Sequence, residues 1–467
     1  MSLRTTAKFI ILTIGINACQ LKKSYTVISG KLVDYKNETI TLIPLEDYFP
    51  TLEPAGKYLF TTKTDSLGYF TFRSDKIKSG FYQIIHRNYH RLNYDLYIEN
   101  GDSLFIEQAW ETQLFDISGK GAGKLQHLVR DNNNYPRNEK YYDTIRSPGF
   151  ATEVLFQSFI DSFYNERVNA VVGDESIPQE LKSHFINDLY AEKASTLLYH
   201  LERRNYVMHG VFTYSYPDTA YYSFLSDIKF DEAFCLNSNA KLLASNYLTN
   251  KIRYAFRNRE EKAWWDEQFN WKVNYAMNQA SSTWNDLVTM SILGEYSAAM
   301  SDDNFFRTIT RFDERSNTLF KNKSYKDLFQ QNAHSFLNLA PGKPAPDFAL
   351  PDSSGNIIKL SDYKGKIVYI DVWGTWCGPC IQEIPEALKL QKAYKGKPVE
   401  FLYVALEYDK NDIERWRNFI AGKQKRFLDE PFTGIHLVAE KQFGNTEMMP
   451  YKINYAPTHI LIDQNGI

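Results

Sequence analysis

Cysteine is scarce in this chain, with four in 467 residues, at positions 19, 235, 377 and 380. An exported fold stapled by disulfides carries more, at scattered spacings, so each of the four has to be read on its own. Long apolar runs are missing as well: no stretch of about 18 apolar residues could span a bilayer as a helix of the mature chain. There is no basic excess either. Fifty-four Lys and Arg stand against 56 Asp and Glu, a net charge of −2, which argues against a nucleic-acid partner. No fixed-period repeat supports a solenoid, and His127, His184, His200, His209 and His334 fall in no metal-ligand spacing.

What is present is a globular composition, 43% hydrophobic and 24% charged, in a chain long enough for two or three domains. At the N-terminus Arg4 and Lys8 precede the apolar stretch FIILTIGI and then NAC, the charged, apolar and small-residue order of a secretory signal. INAC resembles a bacterial lipobox. That resemblance implies a signal peptide over residues 1–18, a lipid on Cys19 and a tether over 19–24. Cys235, in DEAFCLNS, reads as a buried apolar residue.

Residues 25–110 are short alternating runs such as YTVISGKLVDY and ETITLIPL, broken by Gly, Asn and Asp turns, and are expected to be an all-β sandwich. TDSLGYFTF and IENGDSLFI resemble the β-sandwich at the front of Bacteroidetes-type exported thioredoxin-like proteins, a spacer or docking module without chemistry. Over 111–338 the apolar period lengthens. Leu181, Phe185, Leu189, Leu197 and Leu201 share one helical face, so this region is expected to be α-helical. Trp264, Trp265 and Trp271 read as core. LNLAPGKPAPDFALPDSSG is a boundary, and over 339–467 strands alternate with helices as in an α/β sheet. Within it KIVYIDVW has the continuous apolarity of a strand covered on both faces.

That strand runs into Cys377-Gly-Pro-Cys380. A tetrahedral zinc site needs four ligands, and no second pair is present; only His436 and His459 could be recruited. A working dithiol has more behind it. The first cysteine follows a strand and opens a helix, where unpaired N–H groups favour a thiolate, and Pro379 suits the first helical turn.

DVWGTWCGPCIQEIP looks like thioredoxin, and with PGKPAPDFALPDSSGNIIKLSDYKGKIVYI ahead of it the region resembles the exported TlpA/ResA-like thiol–disulfide oxidoreductases. The resemblance covers about residues 341–467. It implies a thioredoxin-like fold in which Cys377 is the nucleophile and Cys380 resolves the mixed disulfide. It further implies that Trp376 packs beside them, Pro385 kinks the helix, and Asp371 handles the proton of Cys380. Glu383 matches an active-site glutamate of the ResA-like branch. Pro457 matches the cis-proline against the dithiol, preceded by the small Ala456, and substrate would lie along Trp376, Ala456 and Pro457. A carboxylate buried under the dithiol has its pKa raised by desolvation and can accept a proton near neutral pH.

The expectation is therefore an exported, lipid-anchored, three-region enzyme of the cell envelope or periplasm that reduces protein disulfides without metal or cofactor. Its partners would be disulfide-containing exported proteins, with electrons supplied by a membrane thiol relay. Two other readings stand beside it. One is a binding or structural surface lipoprotein with an incidental dithiol. The other is a peroxiredoxin-like peroxidase, although Ile370 stands where such enzymes place a proline. The sequence stops at HILIDQNGI, inside a hairpin signal at Asn465-Gly466, and a further strand and helix are expected beyond it.

Overall fold

The computed structural model describes residues 25–50, 52, 60–86, 94–109, 112, 114–135, 153–209, 219–226, 228–256, 265–280, 282–296, 303–423, 432–453 and 455–467. The signal peptide, the tether with Cys19, and Trp264 lie outside these residues.

The first part is built from eight strands: β1 (Thr26–Leu32), β2 (Thr39–Pro44), β3 (Phe60–Lys63), β4 (Tyr69–Ser74), β5 (Gly80–His86), β6 (Leu96–Ile98), β7 (Ser103–Ala109) and β8 (Leu114–Lys120). They form two four-stranded sheets, ordered β4-β1-β7-β8 and β3-β2-β5-β6. Alternation does the sorting: β1 reads buried, half-buried, buried along its length, so one face of its pleat goes inward. β3 and β4, adjacent in sequence, belong to different sheets.

Nine helices follow among the described residues: α1 (Gln126–Asn134), α2 (Glu153–Gly173), α3 (Gln179–His209), α4 (Glu232–Cys235), α5 (Ser238–Phe256), α6 (Trp265–Asn278), α7 (Thr283–Tyr296), α8 (Asp303–Leu319) and α9 (Lys323–Leu337). On α3, Leu181, Phe185, Leu189, Ala194, Leu197 and Leu198 are buried. One apolar cluster runs from Ile28 and Leu42 of the sheets to Leu293 and Phe336 of the helices. Polar contacts cross the same boundary. Asp95 accepts from Gln83 Nε2 at 2.7 Å and lies 3.2 Å from His184 Nε2. The buried ammonium of Lys241 on α5 donates to the carbonyls of Leu45 and Tyr48.

The last part holds the hairpin β9 (Ala349–Pro351) and β10 (Ile357–Lys359), then β11 (Ile367–Trp373), α10 (Gly378–Ala393), β12 (Val399–Glu407), α11 (Lys410–Ile420), β13 (Ile435–Glu440) and β14 (Thr458–Ile462). The sheet order is β13-β12-β11-β14, with the first three strands parallel and β14 antiparallel to β11. Both faces are covered, which accounts for the apolar run in β11. Val368, Ile370 and Val372 pack with Leu402, Val404 and Leu437 on one side. Tyr369 and Trp373 pack with Phe401, Tyr403, Ile384 of α10 and Trp416 and Phe419 of α11 on the other. By the two-residue period of a strand, Asp371 shares this second face with Tyr369 and Trp373. Among the described residues β14 is the outermost strand on its side of the sheet, and Leu461 on it is 72% exposed.

Candidate active site

β11 delivers the chain to the site and the loop Gly374-Thr375-Trp376 aims it. Gly374 has no side chain because none fits: a Cβ there would collide with the Trp376 indole. Thr375 donates its N–H to the carboxylate of Glu407 at 2.8 Å and its hydroxyl to the same group at 3.0 Å. The Trp376 indole donates to the Leu406 carbonyl at 2.7 Å and meets Phe443 edge-on at 5.8 Å. Two of the residues before the dithiol, Thr375 and Trp376, are thus tied to the end of β12, while Trp376 keeps 42% of its surface exposed.

Cys377 is the N-cap of α10, and its sulfur accepts from the Cys380 N–H at 3.2 Å. Pro379 occupies the first turn, where no intrahelical N–H bond is lost. The two cysteines are joined as a disulfide with Cα atoms 5.3 Å apart. Both are buried, in the cluster that holds Trp373, Ile384, Tyr403 and Phe432. Pro385 lies inside α10, where it removes one N–H from the helical ladder.

Beneath the helix a polar row crosses all four strands. Asp371 faces Tyr403 on β12 and His459 on β14, and Tyr403 faces His436 on β13. Asp371 is 6% exposed. Burial pushes its carboxyl up to about 6, Glu383 pushing the same way and His459 opposing. Burial raises the Tyr403 hydroxyl, which has no hydrogen-bond partner among the described residues, and lowers His436 to about 4. The His436 Nε2 donates to the Phe432 carbonyl at 2.6 Å.

The expected residues gather at one place. Cys377 caps α10, Cys380 lies in its first turn and Trp376 directly precedes the cap, while Asp371 lies on the face of β11 that packs against the cluster holding the cysteines. Glu383, one turn along the helix, reaches within 3.5 Å of His459 Nε2, which lies 3.7 Å from Asp371 Oδ1. The Ala456–Pro457 bond is cis, and Ala456 packs against the cluster containing the two cysteines. Cys235 is elsewhere, buried, its thiol pushed up to about 12 by burial, so it presents no thiolate near neutral pH. Among the described residues no group of three or more His, Cys, Asp or Glu side chains is arranged to hold a metal, and no helix is long and apolar enough to cross a membrane.

Two residues of the site escaped the sequence reading. Glu407 ends the apolar run EFLYVALE, and a carboxylate closing a buried strand was the available signal. His459 was weighed only as a stray zinc ligand; its place beside Asp371 follows from the β11–β14 register.

A dithiol capping a helix after a central parallel strand, with a cis-proline next to its apolar cluster, defines a thioredoxin-like domain. Residues 340–467 match the Redoxin family. The chain belongs, through this region, to the thioredoxin superfamily in its TlpA/ResA-like thiol–disulfide oxidoreductase branch. It is 37% identical over 128 residues to the thiol-disulfide oxidoreductase ResA of Geobacillus kaustophilus, covering 27% of this chain and 66% of that protein. It is 32% identical over 142 residues to the thioredoxin-like protein YneN of Bacillus subtilis, covering 30% of this chain and 76% of that one. The crystallised thioredoxin domain of a thiol-disulfide oxidoreductase from Bacteroides vulgatus is 28% identical, covering 27% of this chain and 84% of that chain, with a TM-score of 0.23. The chain spans just under two thirds of the ResA proteins it matches, 66% and 65% for two of them.

Proposed function

We propose that this protein reduces disulfides of other proteins through Cys377 and Cys380. The observation that carries the reading is the buried Asp371 on the dithiol face of β11, its carboxyl raised to about 6. A carboxyl with that affinity is ionised at pH 7 and able to take the proton that Cys380 must lose. Cys377 thiolate attacks a substrate disulfide to give a mixed disulfide and a first substrate thiol. Cys380 then passes its proton to Asp371 and attacks the Cys377 sulfur. The Cys377–Cys380 bond forms, and the second substrate sulfur leaves with the electron pair. Trp376, Ala456 and Pro457 form the surface against which substrate lies. Glu383 adjusts the charge around Asp371.

Direction rests on the Gly-Pro pair between the cysteines and on Asp371. Strong oxidants owe their potential to a very low cysteine pKa, and no cationic side chain beyond the helix terminus stands beside Cys377 in sequence to produce one. In this reading the protein is exported and anchored by a lipid on Cys19, acts on exported proteins, and is recharged by a membrane thiol relay. The test is the pH profile of disulfide reduction by the reduced chain. The wild-type rate should fall as pH drops through about 6 and Asp371 becomes protonated. Asp371→Asn should be slow at neutral pH and recover toward wild type by about pH 9, where thiols ionise unaided. An equal loss at pH 6 and pH 9 would assign Asp371 a structural role.

A further inference from the structure

Asp371 is a poor dead end for a proton. Each turn of the cycle loads it, and its side chain is only 9% exposed, so the proton needs a way out. The side chains that face Asp371 are few. Tyr369 and Tyr403 have hydroxyls whose pKa burial raises, so neither ionises to carry a proton away at neutral pH. Glu383 comes from α10 and His459 from β14. Of these, His459 is the one the structure places within ion-pair distance of the Asp371 carboxyl while also reaching the exterior. Its Nε2 is 3.7 Å from Asp371 Oδ1 and 3.5 Å from Glu383 Oε2, and its side chain is 41% exposed. Its ring is held in place by stacking on Tyr369 at 5.7 Å and 18°. An imidazole ring nitrogen can both accept and donate a proton.

We propose that His459 is the exchange point through which Asp371 returns its proton to solvent; this rests on the reading of Asp371 as the proton acceptor for Cys380. After Cys380 has given its proton to Asp371 and closed the disulfide, a small movement of the ring brings Nε2 into hydrogen-bond range of the carboxyl. The proton passes from Asp371 Oδ1 to the neutral ring, leaving the carboxylate ready for the next cycle. The imidazolium then releases it to the exposed Glu383 carboxylate or to water. When the disulfide is reduced again, the same path runs backward and supplies Cys380 with its proton. His459 acts through Asp371 and is a positioning residue. The charged and ionisable groups facing it are Asp371 and Tyr369 on β11 and Glu383 on α10.

The experiment uses the full chain, turning over a small aromatic disulfide with a dithiol as electron source, in low and high imidazole. In low buffer at pH 7, His459→Gln should be slower by about tenfold, less than the loss of a full general base because water still approaches the site. Added imidazole should restore the rate of His459→Gln and leave the wild type unchanged. His459→Asn, with circular dichroism on both variants, provides a second chance at a folded protein. A folded variant with a loss equal at every pH and untouched by imidazole overturns the proposal, as does a variant as fast as wild type. Asp371→Asn run alongside separates the two failures. If it keeps its pH-dependent loss while His459→Gln is normal, only the exchange point is wrong; if it loses nothing, the acceptor reading falls as well.

Discussion

The carboxylate of Glu407, fully buried at the end of β12, accepts both the N–H and the hydroxyl of Thr375, at 2.8 and 3.0 Å. Burial raises its pKa while both hydrogen bonds to Thr375 oppose the shift. The pair fixes the loop that presents Trp376 and Cys377. Glu407→Ala would leave two donors of Thr375 unpaired, a loss of about 1–3 kcal/mol. Glu407→Gln retains an acceptor for the Thr375 N–H and should lose less. Urea unfolding of the two variants checks the order, and equal stability of Glu407→Ala and wild type would contradict it.

Asp371 should destabilise the oxidised fold at neutral pH. The sign follows from its raised pKa, about 6 against an ordinary 3.8. Below 3.8 the group is neutral in both states and has no effect. Between 3.8 and about 6 the native state holds the proton more tightly, so stability falls as pH rises, and above about 6 the full cost of the buried charge remains. Asp371→Asn, neutral throughout, should gain on the order of 2–3 kcal/mol at pH 7–8 and nothing below about pH 3. Calorimetry of the oxidised chain checks this on the transition that moves when the disulfide is reduced. A gain independent of pH would contradict it.

Much of this was legible from local signals. Two-residue alternation in TVISGKL and the four-residue spacing of Leu181, Phe185 and Leu189 marked strand and helix because burial imposes those periods. The site was legible around Cys377 because strand end, N-cap and Pro379 are consecutive in the chain. The rest depends on contacts made far along it. His459 meets Asp371 only through antiparallel pairing across 88 positions, and Glu407 meets Thr375 across 32. The assignment of β3 and β4 to separate sheets likewise depends on partners distant in sequence, which alternation cannot name. Spacing finds residues that share an element; it does not find those that share a rung.

The central claim is that Cys377 attacks and Cys380 releases. Cys380→Ser leaves the nucleophile in place and removes the release step, so the measurement is a trap. The variant, expressed in its native cell and purified under acid quench, should carry exported proteins bound covalently at Cys377. These should be released by a reductant and absent from a Cys377→Ser control. If Cys380→Ser traps no protein while the purified chain retains a stable non-covalent partner, the dithiol is incidental, and a binding function replaces the one proposed.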